Sequence, residues 1–361
     1  MARQVAALKR EMLFNFLPNS LLPYLPALIA FTILLVVGHP VIRQLRKMKI
    51  GDVPEFDQEK INELMAGKKG TPTMGGVMIV GAIVIALLLV APITHPKTWI
   101  GLFVLISLCL VGSFDDRMKL KLARLKNEGK PIPSTRQGMS SRTKFILQLL
   151  IGALAIGAFI WFSPATEHFF NIPSILSFQI SQAFVIIIGM IWITGFSNSV
   201  NLTDGMDGLA AGCSAIVSTS IAIGLTLAGA QPSSIMLASA IAGACFGFLI
   251  FNHHPANVFM GDTGSLALGG LLGYIAVVEG FELLLVVMGI VFVIEALSVM
   301  MQVGYFKYTK KKYGEGRRIF RMSPLHHHFQ LGGWSESRIV FAAWFITLMM
   351  SGLGAFLLAR N

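Results

Sequence analysis

Residues 181–229 read SQAFVIIIGMIWITGFSNSVNLTDGMDGLAAGCSAIVSTSIAIGLTLAG and decide the fold class of the chain. Two apolar segments, at 181–199 and 208–229, are joined by the polar, glycine-containing run NSVNLTDGMDG at 198–208. Each segment has about the 20 residues that an α-helix needs to cross the hydrocarbon core of a bilayer. The stretch therefore predicts two membrane-spanning helices with a short polar connection at the membrane surface.

The same apolar pattern recurs on both sides of this pair and gives about ten candidate spans in all. They lie at 22–42, 76–93, 98–115, 145–163, 181–199, 208–229, 235–251, 264–279, 282–304 and 339–358. Glycines inside several spans, such as Gly269 and Gly270, are typical of membrane helices that pack closely. The sequence thus predicts an all-α, polytopic integral membrane protein in which residues 1–361 form a single transmembrane domain.

The composition excludes an ordinary soluble domain. Hydrophobic residues make up 54% of the chain and charged residues only 13%, with a mean hydropathy of +0.70. Soluble domains carry about 25% charged residues, so this surface needs lipid as its solvent. The three cysteines stand inside apolar segments without paired spacing, which indicates packing rather than a disulfide or a thiolate metal site.

The distribution of basic residues predicts the orientation in the membrane. Of 29 Lys and Arg residues, 24 lie in three connections, at 43–69, 117–144 and 307–338. Cytoplasmic loops are enriched in Lys and Arg, so these connections are predicted to be cytosolic and both termini to lie on the outer side. Because topology accounts for the net charge of +11, we expect no nucleic-acid partner. The charge suits a bilayer surface and phosphorylated substrates.

Five aspartates lie at or beside predicted helix ends on the cytosolic side: Asp115, Asp116, Asp204, Asp207 and Asp262. Ionised groups near a bilayer are costly, so this grouping predicts one functional site. Asp115 and Asp116 close the third span. Because adjacent helical residues point in different directions, one can face a metal ion and the other a reacting group. A solvated helix end is the other interpretation of this pair.

Asn198, Asn201, Asp204 and Asp207 recur every three residues across the polar connection. This spacing predicts a line of polar groups along one helical face. Gly205, which follows the first aspartate, lets the backbone approach a ligand closely. A polar stripe between two apolar spans is typical of a binding site more than of a plain loop.

The run NHHPANVFMGDTGS at 252–265 ends in a Gly-Asp-x-Gly-Ser turn before the next span. A helix that begins there offers free backbone amides and its dipole to a phosphate group. Asp262 in the turn is a candidate ligand for a divalent metal ion. Phe259 could stack on a planar base, although packing is the commoner role for such a phenylalanine.

The available ligands favour Mg²⁺ and phosphate chemistry, because carboxylates are the hard oxygen ligands that Mg²⁺ prefers. The triplet His326, His327 and His328 lacks the spaced partners of a zinc site, so we expect phosphate contact from one or two of its members. The chain has no Walker motif and no Gly-x-Ser-x-Gly elbow. Residue chemistry thus predicts Mg²⁺-assisted transfer of a phosphate-bearing group at the cytosolic membrane surface.

Seven separated stretches resemble the phospho-N-acetylmuramoyl-pentapeptide transferases, and together they extend over nearly the whole chain. They are KKGTPTMGG at 68–76, the pair Asp115 and Asp116, and residues 138–144, 198–208, 251–270, 295–302 and 318–328. The aspartate pair, the NLTDGxDG run and the Gly-Asp-x-Gly-Ser turn are similar to the wider superfamily of polyprenyl-phosphate sugar-1-phosphate transferases. The TPTMGG run and the histidine triplet are specific to the muramoyl-pentapeptide branch.

The resemblance implies the transfer of phospho-N-acetylmuramoyl-pentapeptide from its UDP-linked donor to undecaprenyl phosphate. The products are lipid I and UMP, and the reaction is the first membrane step of peptidoglycan synthesis. The family fold has ten transmembrane helices, and its members are homodimers in the bacterial cytoplasmic membrane. The resemblance makes Asp262 the leading Mg²⁺ ligand, with Asp115 and Asp204 as further candidates.

The remaining site residues are carried over from the matching motifs. Asp115 and Asp116 lie where the family activates the lipid phosphate, and Asp115 is our choice for that role. Substrate contact is implied for Lys68, Asp207, Asn252 and Phe259 around uridine, for Lys119 and Lys144 at the phosphates, for Asn198, Asn201 and Gly205 in the polar connection, and for His326, His327 and His328 at phosphate or sugar.

The chain departs from the family pattern at three places. Arg117 stands where tyrosine is common, Met206 stands where leucine is usual, and residues 121–136 lengthen the third connection. The nearest alternative function is transfer of N-acetylglucosamine 1-phosphate, against which the TPTMGG run and the histidine triplet argue. An ion-coupled transporter would place its acidic residues near the membrane midplane, where only Glu295 is found.

Overall fold

The structure is a computed structural model that describes residues 18, 20–48, 68, 70–92, 95–128, 130, 138–163, 169–172 and 176–360. In chain order the helices are α1 Leu25–Lys47, α2 Gly76–Val90, α3 Pro96–Asn127, α4 Ser141–Phe162, α5 Gln182–Thr203, α6 Leu209–Leu227, α7 Pro232–Asn252, α8 Asp262–Glu279, α9 Glu282–Met288, α10 Ile290–Tyr313, α11 Leu325–Leu331 and α12 Glu336–Leu358. A 3₁₀ turn, Leu22–Tyr24, precedes α1. Strands β1 Phe169–Ile172 and β2 Leu176–Gln179 form an antiparallel hairpin between α4 and α5.

Eight helices of the described chain are long and apolar enough to cross a membrane. They are α1, α3, α4, α5, α6, α7, α10 and α12. The two other predicted spans correspond to α2, an apolar helix of 15 residues, and to α8, which has 18 residues. The prediction of an all-helical, multi-pass membrane protein is therefore confirmed, with the short hairpin as its one exception among the described residues.

Helix α8 forms the buried centre of the bundle, and every residue from Asp262 to Val278 is buried. Glycines let its neighbours touch its backbone directly. A Cβ atom on Gly269 would lie 2.1 Å from the carbonyl oxygen of Phe196 in α5. Similarly, a Cβ on Gly112 of α3 would lie 2.1 Å from the carbonyl oxygen of Asp262. Close packing therefore fixes the first turn of α8 against α3.

The third and the ninth predicted spans differ most from the observed helices. The third span was expected to end at Asp115 and Asp116, but α3 continues for three further turns, to Asn127. The Lys, Leu and Arg residues that follow are good helix formers, so the helix extends beyond the apolar region. The ninth span was expected to be one helix over 282–304. It is divided at Gly289, whose backbone leaves the helical region (φ −96°, ψ 27°).

The polar connections of the bundle meet at one end. This end carries the start of α2, α4, α6, α8 and α12, together with the connections at 204–208, 253–261 and 314–335. The described residues of the three basic connections also lie at this end. Of the inserted residues predicted at 121–136, residues 121–127 belong to α3, and 129 and 131–136 lie outside the described residues.

Candidate active site

Asp116 binds the first turn of α8 from the neighbouring helix α3. Its Oδ2 atom accepts hydrogen bonds from the backbone N–H of Thr263 at 3.0 Å and from the Thr263 hydroxyl at 2.6 Å. Its Oδ1 atom accepts from the backbone N–H of Asp262 at 3.2 Å. A carboxylate that accepts the free amides at a helix start acts as an N-cap. Asp116 therefore holds Asp262 in position.

These bonds correct the expectation that the turn at 261–265 offers free amides to phosphate. The N–H groups of Asp262 and Thr263 are bound by Asp116, and the N–H of Gly261 donates to Asp204 at 3.1 Å. The amides of Gly264 and Ser265 donate to the carbonyl oxygen of Gly261. The turn thus presents its side chains to a ligand, and its amides are used internally.

Asp115 and Asp262 share two lysines in a compact charged cluster. Lys144, in the first turn of α4, lies 2.7 Å from Asp115 Oδ2 and 2.5 Å from Asp262 Oδ2. Lys119, one turn after Asp115 on α3, lies 2.9 Å and 3.2 Å from the same two oxygens. The Asp115 side chain is almost fully buried. Two carboxylates and two ammonium groups from α3, α4 and α8 therefore balance one another at this end of the bundle.

Asn201 and Asp204 extend this cluster from the end of α5. The Asn201 amide donates to Asp262 Oδ1 and to Ser265 Oγ, each at 2.9 Å. Burial, and then the charge of Asp262, raise the pKa of Asp204 to about 7. Within the described residues no lysine or arginine pairs with Asp204, because the nearby lysines bind Asp115 and Asp262. A cation beside Asp204 would therefore stabilise the charged form of this carboxyl.

Asp207 belongs to a second cluster and does not continue the line of Asn198, Asn201 and Asp204. Helix α5 ends at Thr203, and the following turn redirects the chain before Asp207. The prediction of one polar face from 198 to 207 was therefore wrong. The Asn198 amide donates to Gln148 Oε1 at 2.7 Å and binds α4 to α5, and its contact with substrate stays a prediction.

The second cluster contains Lys68, Asp207, His254 and Glu336. The Lys68 ammonium lies 2.7 Å from Asp207 Oδ1 and 2.6 Å from Glu336 Oε1. Asp207 Oδ2 contacts His254 Nδ1 at 2.9 Å and accepts from the Ala256 N–H at 3.1 Å. Burial alone would raise the pKa of Asp207, but Lys68 and these hydrogen bonds outweigh it and hold that pKa below its ordinary value.

Ligand atoms of Asp207, His254 and Glu336 lie within 4.8 Å of one another, a spacing that a metal ion could bridge. The ammonium of Lys68 already contacts both carboxylates. A second cation would have to displace it. We therefore interpret this group as an ion-pair network. Around Asp262, Lys119 and Lys144 likewise pair with Asp115 and Asp262, and it is Asp204 that has no lysine or arginine partner among the described residues.

Two further predicted contact residues border the second cluster. Lys68 Nζ lies 5.9 Å from the centre of the Phe259 ring, within the range of a cation–π contact. The Asn252 side chain is occupied by the protein itself. Its Oδ1 accepts from the Gly208 N–H at 3.1 Å, and its Nδ2 donates to the Val258 carbonyl at 2.9 Å. Asn252 thus joins the two loops that carry Asp207 and Phe259.

The histidine triplet lies in the short helix α11, and its first two members are buried. Both oxygens of Glu295 in α10 accept from the backbone N–H of His326, at 3.2 and 3.3 Å, and Glu295 also lies 3.2 Å from His326 Nδ1. A Cβ on Gly205 would lie 2.3 Å from His326 Nε2. This ring therefore packs directly on the loop between Asp204 and Asp207.

The other two histidines make different contacts. His327 Nδ1 contacts Gln330 Oε1 at 3.0 Å. Burial first, and then the neighbouring His326, lower the pKa of His327 to about 3, so this ring is neutral at physiological pH. His328 Nδ1 accepts from the backbone N–H of Arg321 at 3.1 Å.

Glu336 and Glu295 complete the site, although sequence reasoning did not place them in it. Glu336 stands 129 residues after Asp207 in the chain and three residues before the predicted last span at 339–358. An acidic residue at the start of an apolar span was the available signal. Glu295 is an acid within a predicted span, and the sequence does not predict its contact with His326 in α11.

Comparison with known proteins identifies the family of the chain. The family model described as Glycosyl transferase family 4 matches residues 98–280, and the Phospho-N-acetylmuramoyl-pentapeptide-transferase signature 1 matches residues 68–80. A phospho-N-acetylmuramoyl-pentapeptide-transferase of Desulfotalea psychrophila is 39% identical over 348 residues, which cover 92% of this chain and 90% of that protein. One of Chloroherpeton thalassium is 40% identical over 346 residues, covering 90% and 89% respectively. The chain therefore belongs to the phospho-N-acetylmuramoyl-pentapeptide-transferase family.

Proposed function

We propose that this chain transfers phospho-N-acetylmuramoyl-pentapeptide from its UDP-linked donor to undecaprenyl phosphate, giving lipid I and UMP. The observation that carries the proposal is the cluster of Asp115, Asp262, Lys119 and Lys144 at the basic end of the bundle. In a chain of this family, such a cluster suits two substrates that both carry phosphate. The relatives' names favour the muramoyl-pentapeptide donor over N-acetylglucosamine 1-phosphate and over a transport function.

Mg²⁺ is the proposed cofactor, and Asp262, Asp115 and Asp204 are its proposed ligands. Their carboxylate oxygens are the hard donors that this ion prefers. The raised pKa of Asp204 supports the assignment, because a cation beside it would relieve the cost of its charge. When bound, Mg²⁺ would neutralise charge on the donor pyrophosphate and on the departing UMP.

In the proposed reaction, an oxygen of the lipid phosphate attacks the β-phosphorus of the donor. The bond between that phosphorus and the bridging oxygen breaks, and UMP leaves with the bridging oxygen. Lys119 and Lys144 hold the phosphate groups. To do so, they give up part of their contact with the Asp115 and Asp262 carboxylates. Asp115 orients the lipid phosphate and these lysines. A phosphate needs little deprotonation near neutral pH, so direct in-line attack requires no strong base.

The second cluster suits the nucleoside end of the donor. The Lys68 ammonium and the Asp207 carboxylate offer a hydrogen-bond donor beside an acceptor, and Phe259 offers a ring face. A pyrimidine such as uracil carries both acceptor oxygens and an N–H donor, so it can satisfy both groups. Asn252 supports this subsite by joining its loops, and Gly205 with His326 connects it to the carboxylate cluster.

We further propose that α2 and α8 cross the bilayer together with the eight longer helices, which makes ten spans. The basic connections then face the cytosol, and both termini lie on the outer side of the bacterial cytoplasmic membrane. A homodimer is part of this proposal by family resemblance alone.

UMP release by the purified protein in detergent tests the proposed function. With UDP-N-acetylmuramoyl-pentapeptide, undecaprenyl phosphate and Mg²⁺, we expect release that stops when the lipid is omitted or when EDTA is added. UDP-N-acetylglucosamine should not replace the donor. Release with that donor alone would assign the chain to the sister branch, and no release with either donor would contradict the proposed function.

A further inference from the structure

We propose that Glu336 is a positioning residue for the donor nucleotide, which it serves by holding Lys68 and the loop of Asp207 in one geometry. Glu336 stands in the first turn of α12, the last helix of the chain. Its Oε1 atom accepts from the Lys68 ammonium at 2.6 Å and from the backbone N–H of Asp207 at 2.7 Å. One carboxylate oxygen thereby joins three regions of the sequence. The inference rests on the proposed function.

The contacts among Lys68, Asp207 and Glu336 are strong because all three side chains are largely buried. The side chains of Lys68, Asp207 and Glu336 are 13%, 2% and 11% exposed. Water and salt weaken ion pairs at exposed positions, whereas groups removed from solvent interact strongly and are costly to leave unpaired. The position of the Lys68 ammonium therefore depends on the carboxylates of both Asp207 and Glu336. Of these two residues, Glu336 lies outside the loops that form the subsite.

A helix-capping role does not account for Glu336. An acid in the first turn of a helix is favourable because of the helix dipole, but Ser335 already caps α12 by accepting from the Arg338 N–H at 3.4 Å. The Glu336 side chain turns away from its own helix to the Asp207 amide. The other oxygen, Oε2, lies 3.8 Å from His254 Nδ1, the same nitrogen that contacts Asp207.

This arrangement divides the work within the nucleotide subsite. Asp207 and Lys68 present their polar groups to the base. Glu336 fixes the position of the Lys68 ammonium and of the loop that carries Asp207. Glu336 has no ion pair or hydrogen bond with the cluster around Asp262 among the described residues. Its loss should therefore affect donor binding more than the chemical step.

The test is steady-state UMP release by the full-length protein with Glu336→Gln and Glu336→Ala. Glutamine keeps an oxygen for the Asp207 N–H and loses the charge that faces Lys68, so the KM for the UDP-linked donor should rise about tenfold. Alanine also strands the Asp207 amide and should raise that KM further. In both variants we expect kcat to fall by less than about threefold and the KM for undecaprenyl phosphate to stay unchanged.

Glu128→Gln is the matched control. Glu128 forms an ion pair with Lys130 at the same 2.6 Å distance, but both side chains are exposed, at 53% and 62%. This variant should match the wild type in every constant. Competition by UMP adds a readout of nucleotide binding alone, and its inhibition constant should rise in parallel with the donor KM.

Each outcome bears on the inference separately from the proposed function. Absence of UMP release by the wild type would contradict the proposed function itself. With an active wild type, an unchanged donor KM in Glu336→Ala would overturn the inference. A lower donor KM would also overturn it, because Glu336 would then be competing with the donor for Lys68. If kcat fell and both KM values rose by similar factors, and the unfolding temperature was lower, Glu336 would have a purely structural role.

Discussion

Replacement of Asp116 by alanine should destabilise the protein more than replacement of its neighbour Asp115. Asp116 is 4% exposed and accepts two backbone amides and one hydroxyl at the start of α8. Loss of an N-cap costs about 0.5–2 kcal/mol, and a buried donor left unpaired costs about 1–3 kcal/mol. The amide and hydroxyl of Thr263 make the two shortest bonds, so a loss of about 3 kcal/mol is expected.

Asp115→Ala differs because its partners keep another carboxylate. Lys119 and Lys144 both still contact Asp262 when Asp115 is removed. The backbone N–H of Met139, which donates to Asp115 at 2.6 Å, loses its partner. We expect a loss of about 1 kcal/mol for this variant, together with a large loss of activity.

Thermal unfolding of the two variants in the same detergent and without Mg²⁺ measures the difference. The Asp116→Ala transition should lie several degrees below that of Asp115→Ala. Thr263→Val, which removes the hydroxyl donor to Asp116, should fall between the wild type and Asp116→Ala. If Asp116→Ala unfolded at the wild-type temperature while losing activity, the assignment of Asp116 as a cap that positions Asp262 would be refuted.

Three further predictions follow from the geometry. Gly205→Ala would place a Cβ 2.3 Å from His326 Nε2, so a loss of about 1–3 kcal/mol in thermal unfolding and weaker UMP release are expected; Gly304→Ala, with open space around it, should change neither. Because the pKa of Asp204 is raised to about 7 in the fold, its ionisation opposes folding as pH rises from about 4 to 7. In EDTA, Asp204→Asn should therefore unfold at the wild-type temperature at pH 4 and above it at pH 8, and equal temperatures at pH 8 would contradict the assignment. Lys144→Met should lower the kcat for UMP release about 100-fold, and an unchanged kcat would exclude a role for this lysine at the phosphates.

Much of the fold could be predicted because apolar length is a direct signal for a lipid-embedded helix. Two features could not. Helix α3 continues past Asp116 through residues whose charge indicated a loop, although Lys, Leu and Arg form helices well. The break at Gly289 lies inside an uninterrupted apolar run, so hydropathy contains no mark of it. A Cβ there would lie 3.0 Å from the Phe196 ring, a contact known only from the packed structure.

Part of the candidate site could also be predicted from the sequence. Carboxylates at the ends of separate spans are brought together by the bundle, which joins Asp115, Asp204 and Asp262 as expected. The three-residue spacing wrongly extended this group to Asp207, because periodicity assumes that a helix continues and α5 ends at Thr203. The contact of Glu336 with Lys68 spans 268 residues of sequence, and no local pattern reports such a pairing.

Lipid-dependent UMP release by Asp262→Asn, measured over a range of Mg²⁺ concentrations, tests the central claim most directly. Asparagine keeps the size of the side chain and removes the charge that residues of α3, α4 and α5 contact. We expect a kcat at least about 100-fold below that of the wild type, with no recovery at high Mg²⁺. Glu315→Gln, which changes an exposed acid, should retain full activity. An Asp262→Asn protein with wild-type kcat and Mg²⁺ dependence would contradict the claim that this cluster is the catalytic centre.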